Sequence, residues 1–249
     1  MALLQLRDLH KRYGGLQATA GVSLDVAAGS VHALIGPNGA GKSTLINLVS
    51  GTVAADSGTV ALDGDDRTAL PAHARVARGL ARSYQVTNLF KRFSALDSVA
   101  LAVQAASGSS LRFWTPVRRE QALFDRAQQV LQRVGLGARA DVPAGALAHG
   151  EQRQLEVALA LATGARVLLL DEPMAGLGAD ESARMLELLR SLKGGPALLL
   201  VEHDMDAVFQ LADTITVLDY GRVIASGTPE AIRTDPEVRR AYLGEEALP

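Results

Sequence analysis

The chain contains the stretch Gly36-Pro37-Asn38-Gly39-Ala40-Gly41-Lys42-Ser43-Thr44. A short apolar run, Ser30 to Ile35, precedes it, and the segment Ser43 to Val49 that follows has the pattern of a helix. The motif is G-x-x-x-x-G-K-[ST], and a strand before it with a helix after it is the context of a phosphate-binding loop. Glycines let backbone N–H groups turn towards a phosphate, and the helix N-terminus adds partial positive charge. We therefore predict that Lys42 reaches the β- and γ-phosphates of a nucleotide and that the Ser43 hydroxyl binds Mg²⁺.

A second stretch, Val167-Leu168-Leu169-Leu170-Asp171-Glu172, has the features expected of a partner for this loop. Its continuous apolar run is typical of a strand buried in a parallel sheet. Such a strand carries Asp171 to the C-terminal edge of the sheet, where the carboxylate can bind Mg²⁺. Glu172 follows directly and is predicted to face a water molecule that attacks the γ-phosphate.

Two kinds of strand predict two sheets. Val22 to Val26 alternates between apolar and polar residues and Gly58 to Gly64 is bounded by glycines, so both favour an antiparallel sheet. Buried runs such as Ala197 to Val201 alternate with helices, which favours a parallel α/β sheet. Ile215 to Leu218 and Arg222 to Ala225 flank a short turn and predict a hairpin.

The middle third of the chain, from about Ser94 to Ala162, is predicted to be a helical insertion. Asp97 to Gln104 and Arg119 to Val134 have the clearest helical patterns. Ser107 to Val117 contains a glycine and a proline and is predicted to be the loop between them.

Charge and composition exclude several classes of protein. The 249 residues include 25 basic and 27 acidic side chains, a formal net charge of −2, which argues against a dedicated nucleic-acid-binding protein. There is no cysteine, so disulfides, thiolate metal sites and a cysteine nucleophile are excluded. No segment has the roughly 20 apolar residues of a membrane span, and the N-terminus has no apolar signal-peptide core. We therefore expect a soluble cytoplasmic protein.

The segment Leu147-Ala148-His149-Gly150-Glu151 lies between the two stretches and opens a predicted helix. It resembles the signature motif of the ATP-binding cassette (ABC) ATPases, whose usual form is L-S-G-G-Q. With the phosphate-binding loop, the Asp-Glu strand end, Gln85 and His203, the resemblance covers nearly the whole chain. The chain is thereby identified as similar to the nucleotide-binding subunits of ABC transporters.

The resemblance implies an α/β fold. It consists of a P-loop NTPase (RecA-like) core, an antiparallel β subdomain and an inserted α-helical subdomain. Residues 1–249 would form one nucleotide-binding domain, with the core and antiparallel β subdomain over about 1–86 and 163–249 and the helical subdomain over about 87–162.

The resemblance also implies a mechanism that needs two subunits. Two domains meet head to tail and enclose two ATP molecules, so that each site combines the phosphate-binding loop of one subunit with the signature helix of the other. The signature helix would offer its N-terminus and backbone N–H groups to the γ-phosphate. The signature residues placed on the nucleotide in this way are Leu147, Ala148, His149, Gly150 and Glu151.

Four other residues take roles from the family pattern. By position, Tyr13 would stack on adenine, and Gln85 would bind Mg²⁺ and sense the attacking water. Glu172 would be the general base, and His203 would hold the γ-phosphate and orient that base. The implied cofactors are ATP and Mg²⁺.

The chain departs from the family pattern at two positions. Ala148 replaces the signature serine, and the lost hydroxyl removes a hydrogen bond to a charged group that is worth about 1.5–3 kcal/mol. The backbone N–H groups of His149 and Gly150 are expected to remain as donors. Gly178 stands where many relatives carry Asp, which changes the expected contact of this loop across the dimer.

Four motifs indicate which subfamily of ABC ATPases the chain resembles. L-A-x-G-[QE]-Q, E-P-x-A-G-L, V-E-H-D-M and the tail from Gly227 to Glu245 are similar to those of the ATP-binding subunits of branched-chain amino acid importers. The ATP-binding subunits of urea and amide importers closely resemble this pattern of motifs, and a lipopolysaccharide-exporter ATPase is a more distant relative. The remaining alternatives are an ABC ATPase of DNA repair or translation, a regulator that holds ATP without turnover, and a nucleotide kinase.

The resemblance implies partners as well. They are integral-membrane permease subunits, a second ATPase subunit that is identical or different, and indirectly an extracytoplasmic binding protein, with no nucleic acid. The chain would work at the cytoplasmic face of the membrane, held there by protein contacts. Exposed Leu89 and Phe90 beside Lys91 and Arg92 predict that the segment from Gln85 to Phe93 forms a groove for a cytoplasmic helix of the permease.

Overall fold

The computed structural model describes residues 2–83, 89–107 and 121–243. Its strands are β1 (Ala2–Tyr13), β2 (Leu16–Ala27), β3 (Val31–Ile35), β4 (Ser57–Leu62), β5 (Asp65–Asp66), β6 (Leu80–Arg82), β7 (Val167–Asp171), β8 (Ala197–Val201), β9 (Thr214–Asp219) and β10 (Arg222–Gly227). Its helices are α1 (Lys42–Ser50), α2 (Ala72–Val76), α3 (Ala95–Ser107), α4 (Gln121–Arg133), α5 (His149–Ala162), α6 (Ala179–Ser191), α7 (Met205–Leu211), α8 (Pro229–Thr234) and α9 (Pro236–Leu243).

The N-terminal strands form the predicted antiparallel sheet, in the order β2-β1-β4-β5. Leu6 pairs with Leu24 across β1 and β2 and with Val60 across β1 and β4. All three side chains are buried on the same face, since cross-strand partners lie on one side of a sheet. β2 is longer than the predicted strand Val22 to Val26, because it begins at Leu16, directly after the turn that follows β1.

The second sheet has six strands in the order β10-β9-β3-β8-β7-β6. Strands β6, β7, β8, β3 and β9 are parallel, and β10 pairs antiparallel with β9 as the predicted hairpin. Every residue of β3, β7 and β8 is buried. Since β8 lies between β3 and β7, the loops that follow these three strands meet at one edge of the sheet.

The middle of the chain is helical, as predicted. α3 contains the predicted helix Asp97 to Gln104, and α4 lies within the predicted helix Arg119 to Val134 and ends one residue before Val134. Residues 119 and 120 and most of the predicted loop lie outside the described residues. Leu131 of α4 and Leu155 of α5 are fully buried in the same apolar cluster. Two single-turn 3₁₀ helices, Gly137–Arg139 and Ala144–Ala146, lead into α5.

The six-stranded sheet has an apolar layer on each face. Leu168 and Leu170 of β7 belong to a cluster with Leu155 of α5, whereas Leu169 belongs to a cluster with Leu6 of the antiparallel sheet. Alternate residues of one strand therefore join the helical region and the antiparallel sheet to the same central sheet. No helix within the described part of the chain is long and apolar enough to cross a membrane.

Candidate active site

The predicted phosphate-binding loop connects β3 to α1 and depends on its glycines. The φ angles of Gly36, Gly39 and Gly41 are 153°, 81° and 103°, values that residues with a Cβ atom rarely adopt. A Cβ on Gly36 would lie 2.2 Å from the Leu218 carbonyl oxygen, and one on Gly41 would lie 2.3 Å from the Ala18 carbonyl oxygen. Both β9 and β2 therefore press against the loop and hold it in shape.

Lys42 points its ammonium back over the loop. The Nζ atom donates to the carbonyl oxygens of Gly36 at 2.6 Å and Pro37 at 3.0 Å. Burial lowers the pKa of Lys42, and the nearby charges of Glu172 and Asp171 act in the opposite direction. A buried cation with carboxylates close by is placed to compensate phosphate charge.

The first turn of α1 fits an anion. It has no side-chain cap and no acidic residue, so its N–H groups lack partners within the helix. These donors carry the positive end of the helix dipole. The loop glycines, Lys42 and this helix end together form a cradle that suits the phosphates of ATP.

Asp171 is held in place by an arginine that the sequence analysis missed. Its Oδ2 accepts a hydrogen bond from Nη2 of Arg82 at 2.8 Å, and Nη1 of Arg82 donates to Oδ1 of Asn47 at 2.6 Å. Arg82 thus ties β6, β7 and α1 together at the edge of the sheet. The only signal in the sequence was a basic residue at the end of a short apolar strand.

The site also has oxygen-bearing residues of the kind that bind Mg²⁺ together with phosphate. Within the described ranges, no cluster of three or more His, Cys, Asp or Glu residues could bind a metal by itself. Mg²⁺ needs only one or two protein oxygen ligands when substrate phosphates supply others. Asp171 and the exposed hydroxyl-bearing Ser43 are residues of the required type; Gln85, the third predicted ligand, lies outside the described residues.

Glu172 and His203 face each other. Nε2 of His203 lies 2.8 Å from Oε1 of Glu172, and the two side chains are 45% and 21% exposed, so both can reach a ligand. Glu172 has a φ of 49°, a left-handed conformation that costs about 1–3 kcal/mol for a residue with a Cβ. The Glu172 N–H donates to the Val201 carbonyl oxygen at 2.8 Å and ties this turn to the end of β8.

Glu202 is a second residue that the sequence analysis missed. Its carboxylate accepts the N–H of Met174 at 2.8 Å and the N–H of His203 at 3.0 Å. Burial raises its pKa, and the backbone donors oppose that shift. Glu202 therefore connects the loop after Glu172 to the loop that carries His203. The signal in the sequence was a carboxylate at the end of the apolar strand β8.

The signature segment begins α5, with Ala148 as the residue before the helix. The Glu151 carboxylate accepts the Ala148 N–H at 2.9 Å and pairs with Arg139 at 3.0 Å. The Gly150 N–H donates to Oε1 of Glu181 on α6 at 3.1 Å. In the single chain this N–H group therefore already donates to a carboxylate of α6, and its role as a donor to a nucleotide stays a prediction.

The structure brings together only part of the predicted site. Lys42, Asp171, Glu172 and His203 meet at the C-terminal edge of the six-stranded sheet. Among the described residues, no hydrogen bond or ion pair joins the signature segment, 147–151, to the loop 36–44.

Tyr13 lies at the end of β1 and is 47% exposed. The Nζ of Lys11 is 5.7 Å from its ring centroid. β2 starts three residues later and passes against the phosphate-binding loop at Gly41. The ring is therefore accessible on the hairpin that borders the loop, and its contact with adenine stays a prediction.

Comparison with protein families agrees with this geometry. A family model described as ABC transporter matches residues 19–175, which spans the phosphate-binding loop, the signature segment and Glu172. The chain therefore belongs to the ABC transporter family of ATP-binding proteins, and it is an ATP hydrolase that is coupled to transport. A second model, described as branched-chain amino acid ATP-binding cassette transporter, matches the C-terminal residues 222–247.

Curated relatives cover almost the whole chain. The chain is 38% identical to the high-affinity branched-chain amino acid transport ATP-binding protein BraF of Pseudomonas aeruginosa, over 98% of both chains. It is 39% identical to LivG of Salmonella typhimurium, which has the same description, again over 98% of both. Identity to the lipopolysaccharide export system ATP-binding protein LptB of Escherichia coli is 34%, over 99% of both.

Solved structures confirm the predicted fold class. A nucleotide-free ATP-binding cassette from an ABC transporter superposes with a TM-score of 0.86 at 29% identity, covering 98% of this chain and 100% of that one. The ADP conformation of MJ1267, an ATP-binding cassette of an ABC transporter, gives 0.85 at the same identity and coverage.

Proposed function

We propose that this chain is the ATPase subunit of an importer for branched-chain amino acids. The observation that carries the ATPase is the meeting of Lys42, Asp171, Glu172 and His203 at one edge of the sheet. The substrate class is supported by the C-terminal match to the branched-chain family and by the relatives BraF and LivG. LptB supports the second candidate, a lipopolysaccharide-type exporter, less well because its identity is lower.

The loop and α1 would bind the triphosphate. Backbone N–H groups of the loop and the Lys42 ammonium would hold the β- and γ-phosphates, with Ser43, Asp171 and Gln85 on Mg²⁺. When bound, Mg²⁺ would neutralise charge on the phosphate oxygens. Arg82 would keep the Asp171 carboxylate at the edge of the sheet, and Tyr13 would stack on the adenine.

Glu172 would take the proton from the attacking water. Its Oε1 already accepts a hydrogen bond within the site, from His203 at 2.8 Å, so the imidazole can orient the carboxylate. A general base has to lie within hydrogen-bond reach of the proton that it abstracts. Both side chains are partly exposed, as they must be to meet a nucleotide.

A complete site would need a second subunit. The signature segment 147–151 leads into α5 and, among the described residues, makes no hydrogen bond or ion pair to the loop of its own chain. A partner's signature helix would therefore supply this part of the site head to tail. Gly150 would then exchange its hydrogen bond with Glu181 for one with the γ-phosphate. The same arrangement would place Gly178 at the dimer interface.

The permease would dock in a groove between the central sheet and the helical region. The groove has a volume of about 990 Å³ and is lined by Leu89, Phe90 and Leu101 with Arg78 and Arg166. Phe90 is 60% exposed and Leu101 is 42% exposed. An amphipathic helix from the cytoplasmic side of the permease suits such a surface, and this contact would hold the chain at the membrane.

Reconstitution with the cognate permeases, the second ATPase subunit and the binding protein tests the substrate class. We expect uptake of leucine, isoleucine and valine into proteoliposomes that depends on ATP. Uptake of urea or short amides without branched-chain amino acids would overturn the proposed substrate class, and extraction of lipopolysaccharide would overturn import itself. Either result would leave the ATPase assignment intact.

Charge reversal beside the groove tests the docking surface. Lys91→Glu with Arg92→Glu should weaken assembly with the permease and reduce ATPase activity that depends on transport, because both exposed cations lie next to Phe90. Arg190→Glu changes an exposed charge on α6 and is the control. Full assembly of the double variant would contradict this docking site.

A further inference from the structure

The first glycine of the phosphate-binding loop is held from both sides. The Gly36 N–H donates to the hydroxyl oxygen of Tyr242 at 2.6 Å, and the Gly36 carbonyl oxygen accepts from the Lys42 ammonium at 2.6 Å. Tyr242 is 206 residues away in sequence and belongs to α9. One residue of the loop thus connects the C-terminal helix to the lysine that is predicted to bind phosphate.

Gly36 lies where sheet hydrogen bonding stops. The last pair between β3 and β9 is Ile35 with Val217, and Gly36 is the next residue along the chain. A buried N–H group needs an acceptor, and the Tyr242 hydroxyl provides one. The backbone has little room to move here, because a Cβ on Gly36 would meet the Leu218 carbonyl oxygen at 2.2 Å.

Helix α9 is fixed firmly enough to place this hydroxyl. Val238 is fully buried in a cluster with Ile35 and Val217, and Tyr242 packs against the same cluster. The Asp235 carboxylate caps the helix by accepting the N–H groups of Glu237 and Val238. Burial raises the pKa of Tyr242 to about 12, so the phenol stays neutral at physiological pH.

We propose that Tyr242 is a positioning residue for nucleotide binding. Its hydroxyl holds Gly36, and with it the carbonyl that anchors Lys42, in the conformation that receives the phosphates. If the loop spends only a fraction of the time in the conformation that binds ATP, the apparent affinity for ATP is reduced by that fraction. Coupling between two sites is reciprocal, so nucleotide binding also stabilises the docking of α9. The proposal concerns the nucleotide step and holds for any transported solute.

Tyr242→Phe removes the hydroxyl and keeps the ring. We expect the Kd for a fluorescent ATP analogue to rise roughly 3- to 10-fold, the effect of one hydrogen bond. The KM for ATP should rise with it, whereas kcat at saturating ATP stays close to that of the wild type. The split between KM and kcat separates positioning from a general loss of active protein.

Tyr220→Phe is the matched control, because it removes a hydroxyl from a tyrosine that is 85% exposed. It should leave the Kd unchanged. A Tyr242→Phe variant that binds ATP as the wild type does, even with a lower Tm, would show a purely structural role and overturn the proposal. An equal rise in Kd for both variants would overturn it as well.

Hydrogen exchange tests the reciprocal effect. A non-hydrolysable ATP analogue should slow exchange of the α9 amides in the wild type, and it should slow them less in Tyr242→Phe when both proteins are saturated. Exchange in α9 that does not respond to the analogue in the wild type would contradict coupling between this helix and the loop.

Discussion

Three neighbouring carboxylates at the edge of the six-stranded sheet have different partners. Asp171 accepts from the Arg82 guanidinium, and Glu172 accepts from the His203 imidazole. Glu202 accepts backbone N–H groups of two loops. Only Glu172 combines partial exposure with a strained backbone, which is the pattern of a reacting group rather than a structural one.

Removing the charge of Glu172 should separate binding from turnover. Glu172→Gln keeps the size of the side chain but cannot accept a proton from water, so we expect the ATPase rate of the full complex to fall by about 10²- to 10⁴-fold. ATP should still bind and should hold a stable dimer. Gel filtration with ATP and a steady-state ATPase assay measure both effects, and a normal ATPase rate would exclude Glu172 as the base.

A buried histidine makes stability depend on pH. His32 is 2% exposed, and its ring nitrogens bond the Asp25 carbonyl oxygen at 3.1 Å and the Thr216 hydroxyl at 2.8 Å. Burial lowers the pKa of His32 from 6.5 to about 4. Between those values the unfolded chain binds more protons than the folded one, so the free energy of unfolding falls as the pH falls.

This effect can be isolated by substitution. Neutral His32 makes its full contribution to the free energy of unfolding above the unfolded-state pKa of 6.5. As the pH falls to the pKa of His32 in the folded protein, the free energy of unfolding decreases by about 3 kcal/mol. His32→Gln should flatten that part of the stability curve in urea unfolding at a series of pH values. His73→Gln, at an exposed histidine, is the control. An unchanged slope in His32→Gln would show that other groups cause the pH dependence.

At the scale of elements, α1 is held at both ends. Its N-terminus joins the phosphate-binding loop, and its C-terminus ends at Gly51, which has a φ of 75°. The buried guanidinium of Arg75 donates to the carbonyl oxygens of Leu48 and Val49, both at 2.7 Å. Both carbonyls belong to the last turn, where carbonyl groups lack the usual helical partners and the helix dipole favours a cation.

Arg75→Lys keeps the positive charge but removes the planar guanidinium that donates to several carbonyl oxygens at once. A lysine ammonium cannot reach all the carbonyls that the guanidinium binds at once, so we expect the free energy of unfolding to fall by about 2–4 kcal/mol. The free energy of ATP binding should change less than the free energy of unfolding, because the phosphate-binding loop lies at the opposite end of α1. Arg78→Lys, at an exposed arginine three residues later, is the control; equal effects on urea unfolding would argue against the cap.

At the scale of the whole molecule, the antiparallel sheet and the helical region share one central sheet. Leu6 is fully buried in the cluster that also contains Leu34, Leu45 and Leu199. This cluster packs the antiparallel sheet and α1 against one face of the parallel strands. The two sheets should therefore unfold together rather than as separate units.

Leu6→Ala tests that coupling. We expect it to lower the free energy of unfolding by about 2–5 kcal/mol and to leave a single thermal transition at a lower Tm. Leu16→Ala, at a leucine that is 67% exposed, should have little effect. Calorimetry that resolves a separate early transition in Leu6→Ala would show that the antiparallel sheet melts independently.

Most of the fold could be predicted because its signals are local. The apolar runs of β7 and β8 and the glycines around β4 are read directly from the sequence. The order of the strands could not be predicted that way, because β8 lies between β3 and β7 although it follows both in the chain. The length of β2 was underestimated, since pairing with β1 extends it from the alternating segment Val22 to Val26 back to Leu16.

The sequence by itself determined the phosphate-binding loop, the Asp171-Glu172 strand end and the family, because these depend on residue types at short spacing. Only the tertiary structure decided that Arg82 binds Asp171, that Glu202 binds Met174 and that Tyr242 binds Gly36. Those partners are 89, 28 and 206 residues apart, and no periodicity relates them. Such contacts arise only when the sheet brings distant loops to one edge and packs the last helix against the strands that begin the site.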